Sequence, residues 1–504
     1  MISTLLGCGV FLGGPLLAPA LAQLAPAPAA PEAPAQPTFG PSLALRTDRV
    51  VADSTRPAYG WLTQTSVVNY TAAQGPLQLK VSLAPWEGEP KSVKELGIFP
   101  IYGGNLATTP APFTVDLRGV ADGYYRYVAE VSDGATKLAT LTKYVVLVAG
   151  LEEKQAEFER RLEKVSGHDS AKATVRYPFD LARVINLGKR VYGSANGNPE
   201  FGMSQAGVQQ NFDFTAGIKQ SGELLASLEK GRDPLFRAGG DNVRHHYLKE
   251  ADEILPYRVY VPASWDGKTA LPMVFILHGN SRDHNFYLDR DGQVIPKNAE
   301  KYGFMLVSPM GYSPNGGYNY VPFNRERPAQ QVGAQQFGAP APVAGGGRGG
   351  RGGGQGFGGV NGSTIPNSVR TLWSEQDVMR VFELVKAEYP IDPKRTFLFG
   401  YSAGGQGSHY LGQKFAENWA AIAIGGSNAA PGEFYNFDRL KNTPMFIFSG
   451  SGDGVLNASK AMADGLNAKG VKATFKEIAG ANHDTAPGMA TPDVFEFFKA
   501  NGRK

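Results

Sequence analysis

Residues 396–404 read Thr396-Phe397-Leu398-Phe399-Gly400-Tyr401-Ser402-Ala403-Gly404. The first four are apolar and strand-forming. Residues 403–416 can wind into a helix, so Ser402 is expected on a sharp strand-to-helix turn. Such a turn forces unusual dihedrals on the serine and brings strand and helix close. Glycines two positions to either side remove side chains that would collide. The hydroxyl is then presented at a helix N-terminus, where the dipole favours developing negative charge. Gly400-x-Ser402-x-Gly404 is the one match to this pattern in the chain.

The flanks of this stretch alternate strand and helix. Strands are expected at 257–261, 273–277, 304–308, 396–399, 420–424, 445–449 and 473–478, with amphipathic helices between several of them. The clearest helix is 374–389, with Ser374 and Asp377 as a capping box and Val378, Phe382, Val385 and Tyr389 as a buried stripe. That alternation implies a mainly parallel sheet covered on both faces.

A serine hydroxyl attacks only when a base removes its proton. Of seven histidines, His409 and His483 follow Ser402. His409 travels with the helix after the turn. His483 lies in a loop between the last strand and the last helix, from which it can reach back over the sheet edge. A carboxylate must orient the imidazole. Asp453, just past strand 445–449, gives the order Ser, Asp, His that such sheets use. Asp438 stands too early, and Asp484, next to His483, would point elsewhere. The oxyanion needs two backbone N–H donors: Ala403 supplies one, and Asn280, with Gly279 in reserve, the other. His278 is a loop-shaping residue.

Leu277-His278-Gly279 after a strand, Tyr389-Pro390-Ile391-Asp392-Pro393, and Gly400-Tyr401-Ser402-Ala403-Gly404-Gly405 together resemble the feruloyl/acetylxylan esterase and polyhydroxyalkanoate depolymerase branch of the α/β-hydrolase superfamily. The resemblance spans residues 257–498. It implies a serine esterase acting on carboxylic esters, on polysaccharide-linked acyl groups or a polyester. Related sequences also include prolyl-oligopeptidase-like serine peptidases. The chain departs from the family pattern at Asn280, where a second glycine is common, in lacking paired cysteines, and in a Gly-rich insertion.

The rest of the 504 residues is organised around this half. Residues 42–150 have period two, as in Leu77-Leu79-Val81-Leu83 and Phe113-Val115-Leu117, with turns at Asp122-Gly123 and Asp133-Gly134. They read as an all-β, immunoglobulin-like sandwich module, either a spacer or a carbohydrate- or surface-binding unit. A non-catalytic binding protein is thus the rival of another class. Residues 151–250 read as a helical connector, and 251–504 as the catalytic domain. His245-His246 in the connector are expected to be solvated or hydrogen-bonded, since no third ligand stands at metal spacing.

Residues 1–22 are apolar and uncharged and end in Ala20-Leu21-Ala22, a cleavage-like pattern without a basic start; Arg46 is the first basic residue. We read a signal peptide, ahead of a membrane anchor or a lipidated Cys8, and hence a secreted or periplasmic protein with no stable membrane insertion after export. An Ala/Pro-rich tether follows at 23–41.

Glycine is high, at 63 residues. Twelve of them fall within 345–362, inside an insertion, about 327–364, expected to be disordered. Its two RGG triplets are too few to argue for a nucleic-acid partner, as is a charge balance of 50 basic to 46 acidic residues. A lone cysteine, Cys8, excludes an internal disulfide, zinc ribbons and disulfide-framework folds. Asp289-Arg290-Asp291-Gly292 resembles part of a calcium loop but has Tyr287 and Asn298 where ligands are required, so it reads as a polar turn. No metal or cofactor is expected. Tyr401 and Trp373 are read as either substrate contacts or core packing.

Overall fold

The computed structural model describes residues 43–64, 76–86, 91–102, 106, 109–189, 212–280, 282–313, 316–320, 366–427 and 437–503. The expected signal peptide (1–22), the tether (23–41) and the Gly-rich insertion (about 327–364) lie outside them.

Eight strands open the described chain: β1 (Leu43–Thr47), β2 (Val51–Ala52), β3 (Pro57–Gln64), β4 (Leu77–Pro85), β5 (Lys94–Ile101), β6 (Ala111–Asp116), β7 (Gly123–Asp133) and β8 (Thr136–Leu147). They form one sheet in the order β1-β3-β6 and a second in the order β2-β8-β7-β4-β5. Alternation places Leu77, Leu79, Val81 and Leu83 in a core shared with Phe113 and Val115 of the other sheet. Gln78 on the opposite face is exposed, as a period of two requires.

Among the described residues three helices follow: α1 (Leu151–Leu162), α2 (Asp169–Asn186) and α3 (Phe214–Glu229). Leu151, Phe158 and Leu162, on one face at helical spacing, point inward, and Glu157 pairs with Arg161 at 3.1 Å. Helix α1 ends before Gly167, which lies against Leu228. The helices share an apolar core with Val146 and Val148 of the β module and Ile254 of the strand beyond. The connector thus packs against both neighbours.

The second half holds a mixed sheet of β9 (Gly240–Leu248), β10 (Glu253–Val261), β11 (Leu271–Leu277), β12 (Met305–Pro309), β13 (Ile391–Tyr401), β14 (Ala421–Gly425), β15 (Met445–Gly450) and β16 (Ala473–Ile478). Their order is β9-β10-β12-β11-β13-β14-β15-β16. β9, β10 and β12 pair antiparallel; from β12 to β16 every pairing is parallel. Side chains alternate between two cores. Met273, Phe275 and Leu277 meet helices 367–388, 403–414 and 456–468 on one face. Val274 and Ile276 meet helices 294–302 and 486–500 on the other. A mixed sheet with helices on both faces, carrying a strand–Ser–helix turn, is the α/β-hydrolase architecture.

Two local expectations are corrected. β9 lies within the stretch read as connector and is the sheet's edge strand. Its polar residues hid it: Arg244 is wholly buried, where it meets Glu388 at 2.7 Å and the Tyr389 hydroxyl at 2.7 Å. His245 and His246 are likewise buried; His246 Nε2 lies 2.5 Å from Asp377 and His245 Nδ1 3.2 Å from the Thr174 hydroxyl. Among the described residues no group of three or more His, Cys, Asp or Glu is placed to hold a metal, and no helix is long and apolar enough to cross a membrane.

The second correction concerns the helix before β13. It runs Asn367–Glu388, so Ser374 and Asp377 sit in its interior and form no capping box. The Ser374 hydroxyl instead accepts from the Tyr318 N–H, and the Asp377 carboxylate from the Tyr312 N–H. Tertiary hydrogen bonds, not capping, use these polar side chains.

Burial also governs how the fold responds to acid. It pulls the imidazole pKa of His284 down to about 4 and that of His409 down to about 3, and it lowers His245 as well. The unfolded chain protonates these rings near pH 6.5, whereas the folded chain protonates His284 and His409 only below about 4. Between those values the unfolded state binds more protons, so stability falls as pH falls. The midpoint of thermal unfolding should hold steady above pH 7 and drop from pH 6.5 to 4. A flat profile across that window would contradict burial of neutral rings.

Candidate active site

Ser402 has φ 59 and ψ −122, a left-handed backbone that an ordinary side chain rarely adopts. The flanking glycines make it possible. A Cβ on Gly400 would stand 2.0 Å from the Gly404 carbonyl oxygen, and one on Gly404 would stand 2.0 Å from the Leu277 oxygen. Neither position admits a side chain without moving backbone. The Ser402 N–H donates to the Gly425 carbonyl at 2.9 Å, tying the turn to the neighbouring strand. Helix 403–414 begins at the next residue, with its positive end at the serine.

Two loops at the same sheet edge bring the partners in. Asp453 follows β15 and His483 follows β16. Backbone bonds stitch them together: Gly452 N–H to Ala481 O at 2.9 Å and Ser451 N–H to Ile478 O at 3.0 Å. Asn482 Oδ1 accepts from the N–H groups of Asp484 and Thr485, closing the turn that carries His483. Arg290 Nη2 donates to the Asp484 carbonyl at 2.5 Å. The segment 289–292, a polar turn in sequence, thus braces the histidine loop.

His483 Nε2 stands 3.1 Å from Ser402 Oγ, and His483 Nδ1 2.9 Å from Asp453 Oδ2. Asp453 Oδ1 accepts the Val455 N–H at 3.1 Å. Burial alone would raise the Asp453 pKa. The hydrogen bonds from His483 and Val455 outweigh it, and the carboxyl stays below its usual value. It is therefore ionised at neutral pH and can compensate an imidazolium at His483.

Tyr401 completes this set, and the sequence reading left its role open. Its hydroxyl donates to Asp453 Oδ2 at 3.1 Å, and its ring centroid lies 5.1 Å from that of His483. It is buried, so it supports the triad from beneath. Its place one residue before the serine was the available signal. Trp373 packs edge-on against Tyr312, with ring centroids 5.0 Å apart, in a separate apolar cluster.

Other candidates fall elsewhere. Asp438 pairs with Lys441 at 2.6 Å on the exposed side of the short helix Phe437–Leu440. His409 is buried in the helix after the serine. Of the oxyanion candidates, Ala403 opens that helix and Gly279 faces the nucleophile: a Cβ there would lie 3.3 Å from Ser402 Cβ and 3.8 Å from Oγ. Asn280 follows it and is exposed. The His278 ring is buried between two carbonyls, with Nδ1 2.9 Å from Gly279 O and Nε2 2.8 Å from Met310 O.

No family model matches the chain. No curated protein matches it either. Solved structures similar to it include a ferulic acid esterase of Anaeromyces mucronatus, at 16% identity over 52% of this chain and 90% of that one, with a TM-score of 0.37. Fluorophosphonate-binding serine hydrolase F of Staphylococcus aureus is similar at 12% identity over 52% and 98%, with a TM-score of 0.36. A thermostable esterase is similar at 13% identity over 92% of this chain and 100% of that one, with a TM-score of 0.37.

Proposed function

We propose that this chain is an exported serine hydrolase that cleaves carboxylic esters through an acyl-enzyme, with a polysaccharide-linked acyl group or a polyester as substrate. The observation that carries the chemistry is the unbroken chain Ser402 Oγ, His483, Asp453, with contacts of 3.1 and 2.9 Å. His483 takes the Ser402 proton as Oγ attacks the ester carbonyl. Asp453 holds the imidazolium. Ala403 and Asn280 N–H groups receive the oxyanion. His483 then returns the proton to the departing alcohol, leaving Ser402 acylated. Water, deprotonated by His483, releases the acid and restores the serine. Every proton is accounted for by the triad, so the steps need no cofactor.

The preference for ester over peptide rests on the sequence resemblance given above. Export rests on the uncharged apolar residues 1–22. An immunoglobulin-like reading of the first module is supported by its strand order, β1-β3-β6 facing β2-β8-β7-β4-β5. We read that module as a spacer.

A fluorophosphonate probe should label the full-length protein at Ser402, located by peptide mass. A panel of acetyl, feruloyl, polyester and dipeptidyl substrates should show hydrolysis of esters first. No label and no turnover on any of them would overturn the enzyme reading. Faster cleavage of the dipeptidyl substrates would turn it toward a peptidase.

A further inference from the structure

Tyr318 is a buried residue that the triad does not use. It lies in a 3₁₀ turn, Gly317–Asn319, with φ 52 and ψ 27, and Asn319 follows at φ 57. Two successive non-glycine residues in left-handed backbone are strained, and surrounding contacts must hold them there. Several do. The Tyr318 N–H donates to Ser374 Oγ at 3.0 Å, and Asn319 Nδ2 to Glu375 Oε2 at 2.7 Å. The Tyr318 ring fits where two glycines leave room. A Cβ on Gly311 would stand 2.7 Å from it, and one on Gly407 would stand 2.5 Å from it.

The hydroxyl at the end of that ring donates to the His278 carbonyl at 2.9 Å. The N–H on the other side of the same peptide plane belongs to Gly279. A trans peptide points its C=O and N–H in opposite directions, and no cis peptide occurs among the described residues. Anchoring the carbonyl therefore aims the Gly279 N–H away from Tyr318. Gly279 is the residue on which a Cβ would stand against Ser402. The carbonyl of the next peptide, Gly279 O, lies 2.9 Å from His278 Nδ1.

We infer that Tyr318 is a positioning residue for the oxyanion loop, fixing through the His278 carbonyl the 278–279 peptide plane, on which the Gly279–Asn280 peptide is built. The inference rests on the serine-hydrolase reading above. A fixed donor matters because an oxyanion hole works by being aligned before charge develops.

The test uses the full chain carrying Tyr318→Phe, which keeps the ring and removes the hydroxyl. With active sites titrated, kcat on a chromogenic ester should fall about tenfold, a fraction of what losing a whole donor costs. KM should stay within about twofold, because the ground-state ester relies little on these donors. The rate of fluorophosphonate labelling, which builds a tetrahedral adduct in the same hole, should fall in parallel. A purely structural tyrosine would lower the unfolding midpoint and leave kcat per active site unchanged, and that result overturns the inference.

Gly407→Ala supplies a second variant, since its methyl would press on the ring. Alanine improves helix propensity, so an unchanged kcat in a folded Gly407→Ala protein also counts against Tyr318. Ser402→Ala separates the two readings. If it retains activity, both fall. If it is inactive while Tyr318→Phe and Gly407→Ala match the parent, the positioning role alone falls.

Discussion

Ser402→Ala should lower kcat for ester hydrolysis by roughly 10⁶-fold, the scale seen when a triad nucleophile is removed. The size follows from what is lost. The Ser402 hydroxyl is the group 3.1 Å from His483 Nε2, and without it His483 can only activate water held in no particular place. The oxyanion donors survive, so a residue of catalysis above the uncatalysed rate persists. Stability should change by less than about 1 kcal/mol, because alanine at φ 59 bears the same backbone strain as serine. His483→Ala should cost a similar factor. The double variant should cost little more than either alone, because nucleophile and base act as one unit. Steady-state rates on a chromogenic ester decide the matter, and a loss below about tenfold for Ser402→Ala would place the chemistry elsewhere.

What could be read from sequence was what local chemistry constrains. The turn at Ser402 needs glycines at fixed offsets, and the structure shows why: Gly400 and Gly404 have backbone within 2.0 Å of where a Cβ would be. Most of the expected strands between Tyr257 and Gly450 were legible because a sheet buried on both faces demands continuous apolar runs, whereas the edge strand Ala473–Ile478 is largely exposed. Their order along the chain then brings Ser402, Asp453 and His483 to one edge. Long-range polar contacts were not legible. β9 carries Asp241, Asn242, Arg244, His245 and His246, and a hydrophobicity pattern passes over such a strand. Arg244, His245 and His246 can be buried because Glu388, Thr174 and Asp377 answer their polar groups from 71 to 144 residues away in sequence. Ser374 and Asp377 fit a local capping pattern, yet their partners Tyr318 and Tyr312 stand on another segment. Tyr318 itself sits in Gly316-Gly317-Tyr318-Asn319-Tyr320, which as sequence is only a loop. Its reach to the His278 carbonyl exists only once three segments have packed.

Asp453→Asn should lower kcat by about 10⁴-fold, less than removal of the nucleophile but still a loss of most of the catalysis. The carboxylate is surrounded by donors. Oδ2 accepts from His483 Nδ1 and from the Tyr401 hydroxyl, and Oδ1 accepts the Val455 N–H. An asparagine offers one acceptor and one donor to this all-donor shell. With its NH₂ toward Val455, two N–H groups face each other at about 3 Å, and a buried donor is left unpaired at roughly 1–3 kcal/mol. With its NH₂ toward His483, the ring must accept at Nδ1 and so carries its proton on Nε2, the atom that has to receive the Ser402 proton. Tyr401 can turn its hydroxyl to accept, which makes this second orientation the better satisfied and the less active. The negative charge that compensates an imidazolium is gone in either case. The expected signature is a collapse of kcat at neutral pH with KM changed less than about threefold, and fluorophosphonate labelling slowed to match. A loss of tenfold or less would mean that another group orients His483. Asp484 is the neighbour to try next, although its backbone carbonyl is already engaged by Arg290.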